Sequence, residues 1–221
     1  MKAMVLAAGL GTRLRPITDT RPKALVEVSG RTLLEITLSR LKEFGVREVI
    51  INVHHFAGMI VDYLKANDNF GMHIEISREE VLLDTGGGLK KAAWFFGGAP
   101  FILHNVDVIS TIDLQRMAQF HADNQALATL AMQDRTTSRY LLFDRQGRLC
   151  GRSSTPDPEF QSLAFCGIHV ISPRLLTMMN KEDVFSIITC YVDLAARGEK
   201  ILAFRADEYD WRDLGRPENL Y

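Results

Sequence analysis

From Ala3 to Met132, short apolar runs alternate with segments of helical periodicity, and this alternation is what most constrains the fold. Residues 3–8, 48–53, 73–77, 101–103 and 126–132 read as strands. Between them, Thr32-Leu-Leu-Glu35 is a capping box that opens a helix carrying Leu34, Leu38 and Leu41, and Gly45 closes it. Residues 57–65 form a second helical segment, with Ile60, Val61 and Leu64 on one face. Residues 89–96 and 113–121 form two more. Strands that alternate with helices in this way are joined by crossovers, which make parallel strands with helices packed on both faces. The expected architecture is a three-layer, Rossmann-like α/β fold with a mostly parallel sheet.

The pattern changes after Met132. Residues 140–143 and 148–151 flank Asp144-Arg-Gln-Gly147, a hairpin signal. Residues 153–160 carry two prolines and read as a loop, and residues 164–171 as a strand. Ser172-Pro173 is a helix start, residues 184–197 are a helix closed by Gly198, and residues 200–205 are a last strand. No repeat or linker divides the chain, so one domain over residues 1–221 is expected. Residues 1 to about 135 would form one part and residues 136–221 a small mixed extension of the same sheet.

Composition narrows the function. An apolar share of 47% supplies a sizeable core, and a net charge of −1 gives no global field to recruit nucleic acid. Cys150, Cys166 and Cys190 are scattered without a C-x-x-C pair, which argues against a zinc site or disulfide scaffold and suits a reducing cytoplasm. The apolar stretch after Lys2 is too short for the core of a signal peptide, and no run approaches the roughly 20 apolar residues of a membrane span.

In an open parallel sheet, ligands bind beyond the carboxyl ends of the strands, and three segments at such ends are chemically unusual. The first is Gly9-Leu-Gly-Thr-Arg-Leu-Arg-Pro16, running on to Arg21-Pro22-Lys23. Its glycines let the backbone approach phosphate oxygens, and Arg13, Arg15, Arg21 and Lys23 supply the neutralisation a triphosphate needs. It is neither a dinucleotide fingerprint, since Leu14 stands where a third glycine belongs, nor a Walker loop. A solvated basic loop is the plain alternative. The second is Asp84-Thr-Gly-Gly-Gly88, just before a helix, which is either a close approach to a planar or anionic ligand or a flexible turn. The third is Asp107, at the end of a buried strand, where a carboxylate needs a cation or a metal unless it only caps a turn. A fourth element, Asp210-Trp-Arg-Asp-Leu-Gly-Arg-Pro217, offers a second carboxylate in Asp213, with Trp211 as a packing anchor.

Together these four elements resemble the sugar-1-phosphate nucleotidyltransferase family. The pattern L-A-A-G-x-G-T-R-L-x-P-x-T-x-x-x-P-K-x-L is matched from Leu6 to Leu25, and the late W-x-D-x-G-x-P from Trp211 to Pro217. The L-x-T-G-G-G segment and the closing motif look most like the N-acetylmuramate-1-phosphate uridylyltransferase and mannose- or heptose-1-phosphate guanylyltransferase branches. The resemblance implies an enzyme that condenses an NTP, UTP or GTP first, with a sugar 1-phosphate to give an NDP-sugar and pyrophosphate. It places Gly11, Thr12 and Arg13 on the triphosphate and Lys23 on the α-phosphate or sugar phosphate. Ala8, Gly9, Thr85 and Gly86 fall near the nucleoside, and Asn105 and Gly167 face the sugar. Asp107 and Asp213 are implied as ligands of Mg²⁺, with Arg13 and Lys23 as the catalytic cations.

Attack by an already anionic phosphate oxygen needs no general base, so positioning and charge neutralisation would carry catalysis. His54, His55 and His104 are read as structural or solvent-facing. Two residues depart from the pattern. Val106 replaces a usual glycine before Asp107, where its branched side chain would crowd the ribose, and Asp84 stands where several relatives carry glutamate. Asp107 and Asp213 are expected to repel, so that Asp107→Asn would relieve the apo fold. Neither a membrane nor a nucleic acid is an expected partner, and a homodimer is compatible with the sequence. A phosphocholine-type cytidylyltransferase and a catalytically silent sugar-nucleotide-binding regulator are the competing readings.

Overall fold

The computed structural model describes residues 1–179 and 182–219. The strand β1 (Ala3–Leu6) leads through a loop of short 3-10 turns to a two-stranded ribbon, β2 (Glu27–Val28) and β3 (Arg31–Thr32). Then follow α1 (Leu33–Glu43), β4 (Glu48–Val53), α2 (Ala57–Ala66), β5 (His73–Arg78), α3 (Asp84–Lys91) and β6 (Phe101–Asn105). The chain continues through β7 (Val108–Ser110), α4 (Leu114–Asp123), β8 (Ala128–Gln133), β9 (Tyr140–Phe143), β10 (Leu149–Ser153) and β11 (Gln161–Ile171). It finishes with α5 (Ile187–Ala196), β12 (Ile201–Arg205) and β13 (Trp211–Asp213).

The main sheet runs β10-β9-β11-β6-β1-β4-β5, with β8 on the other edge of β11 and β12 beyond it. Strands β6, β1, β4 and β5 are parallel, as strand–helix alternation demands. The expectation of one continuous parallel run stops there. The antiparallel β11 inserts between β6 and β8, and β8 finds its parallel partner in β12. Eleven residues of β11 reach β9 at one end and β6 at the other, so the second half of the chain is woven into the sheet of the first.

Strand side chains alternate between two cores. Ala3, Val5, Val49, Ile51 and Ile102 face α1, α2 and α4, whereas Met4, Ile50, Phe101 and Leu103 face α3 and α5. The three layers follow from this period of two.

Local signals behave as their chemistry requires. Thr32 caps α1 by accepting from the Glu35 N–H at 3.1 Å, although the Glu35 carboxylate turns to Arg31 and Tyr63 instead of closing the box. Gly45, at φ 80°, ends the helix. The Asp144 carboxylate accepts the N–H groups of Gln146 and Arg148 and shapes the hairpin turn. The helix expected at residues 89–96 begins earlier, at Asp84, so the glycine triplet is its first turn and not a loop before it. The helix expected from residue 184 starts at Ile187, behind the Ser186 cap. Ser172-Pro173 opens only a 3-10 turn. No helix among the described residues is long and apolar enough to cross a membrane.

Two buried histidines tie the layers together. His169 on β11 makes a 2.8 Å hydrogen bond with the Tyr191 hydroxyl of α5, and His121 on α4 is held between Thr129 and Ser172. Burial pushes the His169 imidazole down to about 3, helped by nearby His104, and the His121 imidazole to about 4. In the unfolded chain both titrate near 6.5. Between pH 6.5 and about 4 the unfolded chain therefore binds protons that the folded chain refuses, and stability falls as pH drops through that window. The limiting slope is about 1.4 kcal/mol per pH unit for each histidine. Melting temperature should fall steeply from pH 7 to 5, and His121→Gln should make the fall shallower. A flat melting profile across that range contradicts the assignment.

Candidate active site

The loop after β1 is built for close approach. Ala7 and Ala8 are buried, whereas Gly9, Thr12 and Arg13 open to solvent. Gly11 sits at φ 66°, and a Cβ there would lie 2.9 Å from Thr18 Cγ2 and 3.2 Å from Lys23 Cβ. Only glycine fits both the backbone and the space. The Thr18 hydroxyl donates to the Gly11 carbonyl at 2.8 Å and folds the loop back on itself. That fold delivers Lys23 to the end of β6, where its ammonium lies 2.6 Å from the Asp107 carboxylate, both side chains largely buried. Arg13 reaches to 4.0 Å from Asp213. Arg15 is spent on Asp19 at the surface, 3.2 Å away, and Arg21 is exposed.

The two carboxylates come from one ribbon. β13 pairs antiparallel with β7, placing Asp213 opposite Val108, and the Leu214 N–H donates to the Asp107 carbonyl at 2.8 Å. Asp213 accepts the Gly215 N–H at 2.8 Å. A Cβ on Gly215 would meet Arg13 Nη2 at 2.7 Å, Asp213 Oδ1 at 2.8 Å and Asp107 Oδ2 at 2.9 Å. Both carboxylates and one guanidinium thus converge on a single point that only glycine leaves open. The simple repulsion expected between the two acids is not what the structure holds, because Lys23 neutralises one and Arg13 approaches the other. Relief of the apo fold by Asp107→Asn therefore has no basis here. The substitution breaks a shielded ion pair and leaves Lys23 unpaired.

Asn105 ends β6 beside Leu6 of β1, and Gly167 sits at φ 75° in an irregular stretch of β11 between Phe165 and His169. A Cβ on Gly167 would lie 2.9 Å from Asn105 Nδ2, so these two residues meet. Val106 does not crowd the site, since its side chain is buried in the core shared with α1. His104 is buried as well. Its Nδ1 donates to the Asn105 carbonyl at 2.8 Å, and burial lowers its imidazole to about 4.

Thr85 and Gly86 lie differently from the open loop that was expected. Thr85 Oγ1 accepts the Ile187 N–H at 3.0 Å, and the N–H groups of Gly86 and Gly87 both donate to the Phe185 carbonyl. A Cβ on Gly87 would collide with the Asp183 carbonyl oxygen, and one on Gly86 would strike the Phe185 ring. The third glycine has a separate reason. A Cβ on Gly88 would lie 2.7 Å from Glu79 Oε1 and 2.8 Å from Asn52 Nδ2. The chain's own neighbours thus account for the whole triplet.

Asn52 and Glu79, buried and absent from the sequence expectations, link the loop after β1 to the segment before α3. Asn52 accepts the Ala7 N–H at 2.8 Å and donates to Glu79 at 2.7 Å, and Glu79 accepts the Leu83 N–H at 3.0 Å. The polar Asn52 inside the apolar run of β4 was the available signal. Glu79 gave none, because it sits in a charged Arg78-Glu-Glu80 stretch.

No group of three or more histidine, cysteine or acidic side chains suited to a metal occurs among the described residues. What the site offers is a carboxylate pair, and Mg²⁺ takes one or two carboxylates with the rest of its shell from phosphate and water. The donor set and the space at Gly215 fit such an ion.

Comparison with known proteins agrees with this chemistry. The nucleotidyl transferase family matches residues 2–221. An N-acetylmuramate α-1-phosphate uridylyltransferase of Caulobacter vibrioides is 34% identical over 98% of this chain and 92% of its own length. A mannose-1-phosphate guanyltransferase of Yarrowia lipolytica is 30% identical over the whole of this chain, which spans 62% of that longer protein. HddC from Yersinia pseudotuberculosis, solved in complex with GMP-PN, superposes with a TM-score of 0.83 at 22% identity, covering 100% of this chain and 96% of its own. The chain belongs to the nucleotidyl transferase family and is a sugar-1-phosphate nucleotidyltransferase, an enzyme that forms NDP-sugars.

Proposed function

We propose that this enzyme joins UTP to N-acetylmuramate 1-phosphate, with GTP and a hexose or heptose 1-phosphate as the second pair to test. The choice of pair rests on the uridylyltransferase of C. vibrioides, which matches over nearly the full length of both chains. The observation that carries the chemistry is the convergence of Arg13, Asp107 and Asp213 on Gly215. The nucleotide-binding part runs to about residue 135 and the sugar-binding part over residues 136–221.

Gly11 and Thr12 present backbone N–H groups to the triphosphate, and Ala8 and Gly9, with the edge formed by Thr85 and Gly86, border the nucleoside. Asp107 and Asp213 would hold Mg²⁺, which supplies charge neutralisation at the reacting phosphates. Arg13 offsets the charge that accumulates on departing pyrophosphate. Lys23 exchanges Asp107 for a phosphate oxygen and screens the repulsion between the two polyanions. Asn105 and Gly167 face the sugar. A regulator without catalysis drew its support from Val106, and that side chain is turned into the core.

Pyrophosphate release from a matrix of NTPs against sugar 1-phosphates tests the pair directly. The largest rate should come from UTP with N-acetylmuramate 1-phosphate, and a clear preference for another pair overturns that choice. The same reaction should stop in excess chelator and resume with added Mg²⁺ or Mn²⁺. Undiminished turnover in chelator removes the metal from the mechanism.

Lys23→Ala should lower kcat/KM by about 100-fold or more, the scale of one lost transition-state charge contact. A folded variant with near-normal turnover rules out the role. Asp107→Asn should abolish turnover and also lower stability by about 2 kcal/mol or more, because it leaves a shielded Lys23 without its anion. Turnover and thermal melting, measured side by side, check both halves. A turn-capping aspartate would lose almost nothing in either.

A further inference from the structure

We infer that Arg135, stacked on Trp211, is a positioning residue that locks the sugar-facing bend of β11 to the strand carrying Asp213. The inference rests on the assignment of Gly167 and Asn105 to the sugar.

Arg135 follows β8, outside every motif of the family pattern. Its guanidinium carbon lies 3.7 Å from the centre of the Trp211 ring, a cation–π stack at van der Waals distance. From that stack the two side chains reach consecutive carbonyls of one strand. Arg135 Nη2 donates to the Phe165 carbonyl at 2.7 Å, and Trp211 Nε1 donates to the Cys166 carbonyl at 2.8 Å. These carbonyls immediately precede Gly167, in the stretch where the register of β11 against β8 breaks. A strand whose ladder breaks has carbonyls without cross-strand partners, and here a stacked pair of side chains supplies the donors.

The same Trp211 opens β13. It pairs with Ser110, two residues before Asp213 pairs with Val108, and Val108 Cγ2 is one of the atoms that a Cβ on Gly167 would strike, at 2.8 Å. The bend at Gly167, the ribbon bearing Asp213 and the end of β6 therefore form one packed unit, with Arg135 and Trp211 as the clasp. The segment leading into β13 is fixed independently. Gln133 donates to the carbonyls of Ala206 and Tyr209, both at 2.9 Å, so Trp211 meets Arg135 from a settled position.

A clasp of this kind sets where the sugar sits relative to the α-phosphate. Its loss displaces the sugar floor, whereas Asp213 and the loop after β1 keep ties of their own, through the Leu214 N–H on the Asp107 carbonyl and Lys23 on the Asp107 carboxylate. The test uses Arg135→Ala, Arg135→Lys and Trp211→Phe, with Asn105→Ala alongside, in steady-state pyrophosphate release with each substrate varied in turn. Trp211→Phe keeps a smaller aromatic ring under Arg135 and removes the N–H donor together with part of the indole.

Arg135→Ala should raise KM for the sugar 1-phosphate about tenfold, with KM for the NTP within twofold of wild type. Trp211→Phe should act in the same direction, and the Arg135→Ala/Trp211→Phe double variant should be less severe than the product of the singles, because both act on one unit. Arg135→Lys, which lacks the planar fork, should not rescue. Equal rises in both KM values overturn the inference, as that is the signature of general loosening. A sugar KM that rises for Asn105→Ala but not for Arg135→Ala overturns the clasp alone. No rise for either variant overturns the sugar assignment together with the clasp. If Arg135→Ala fails to fold, Trp211→Phe and Arg135→Lys decide by the same readout.

Discussion

Charge balance between Asp107 and Asp213 is the constraint on which the site depends. Two carboxylates on one short ribbon, close to a common point, are held only with cations nearby. The loop after β1 supplies them, and the need explains its shape. Gly11 lets the backbone turn where Thr18 and Lys23 crowd it, and the turn points Lys23 at Asp107. Gly215 keeps the space between the acids open. The site thus holds one short, shielded ion pair, Lys23 with Asp107, and one longer, solvent-facing approach, Arg13 to Asp213. On the proposed reading a metal–nucleotide complex would engage these same groups, so that binding would exchange partners and not insert charge into a neutral pocket.

Much of this architecture was legible from residues alone. The parallel half could be read because crossover strands buried on both faces appear as continuous apolar runs, as β1, β4 and β6 do. The insertion of β11 could not, because an antiparallel strand covered on both faces carries the same apolar signature as a parallel one. The start of α3 was hidden for a different reason. Three glycines argue against a helix by propensity, and only the close approach of residues 183–187, Glu79 and Asn52 explains why nothing larger fits there.

In the site, Arg13, Lys23, Asp107 and Asp213 stood out because cations and acids at strand ends are conspicuous in an apolar frame. Their mutual pairing was not legible, since it depends on residues 84 positions apart meeting across the fold. Glu79 and Arg135 were unreadable in the same sense, and Gly215, though part of the closing motif, gave no sign that both carboxylates meet at it. The first two are ordinary surface types by composition, and their roles exist only through buried partners.

The place of β11 also governs how the molecule comes into being. Until residues 161–171 have been synthesised, β6 presents a bare edge of apolar strand and β8 lacks both of its neighbours. A chain emerging from the ribosome therefore passes through a long interval in which its first half cannot close its sheet. Asp107 waits further still for the ribbon partner that β13 brings. Long-range pairing of this kind is slow and exposed to misassociation. A chain cut before β11 would keep the edges of β6 and β8 open, and one cut between β12 and β13 would close the main sheet but leave Asp107 without its ribbon partner and the site unfinished.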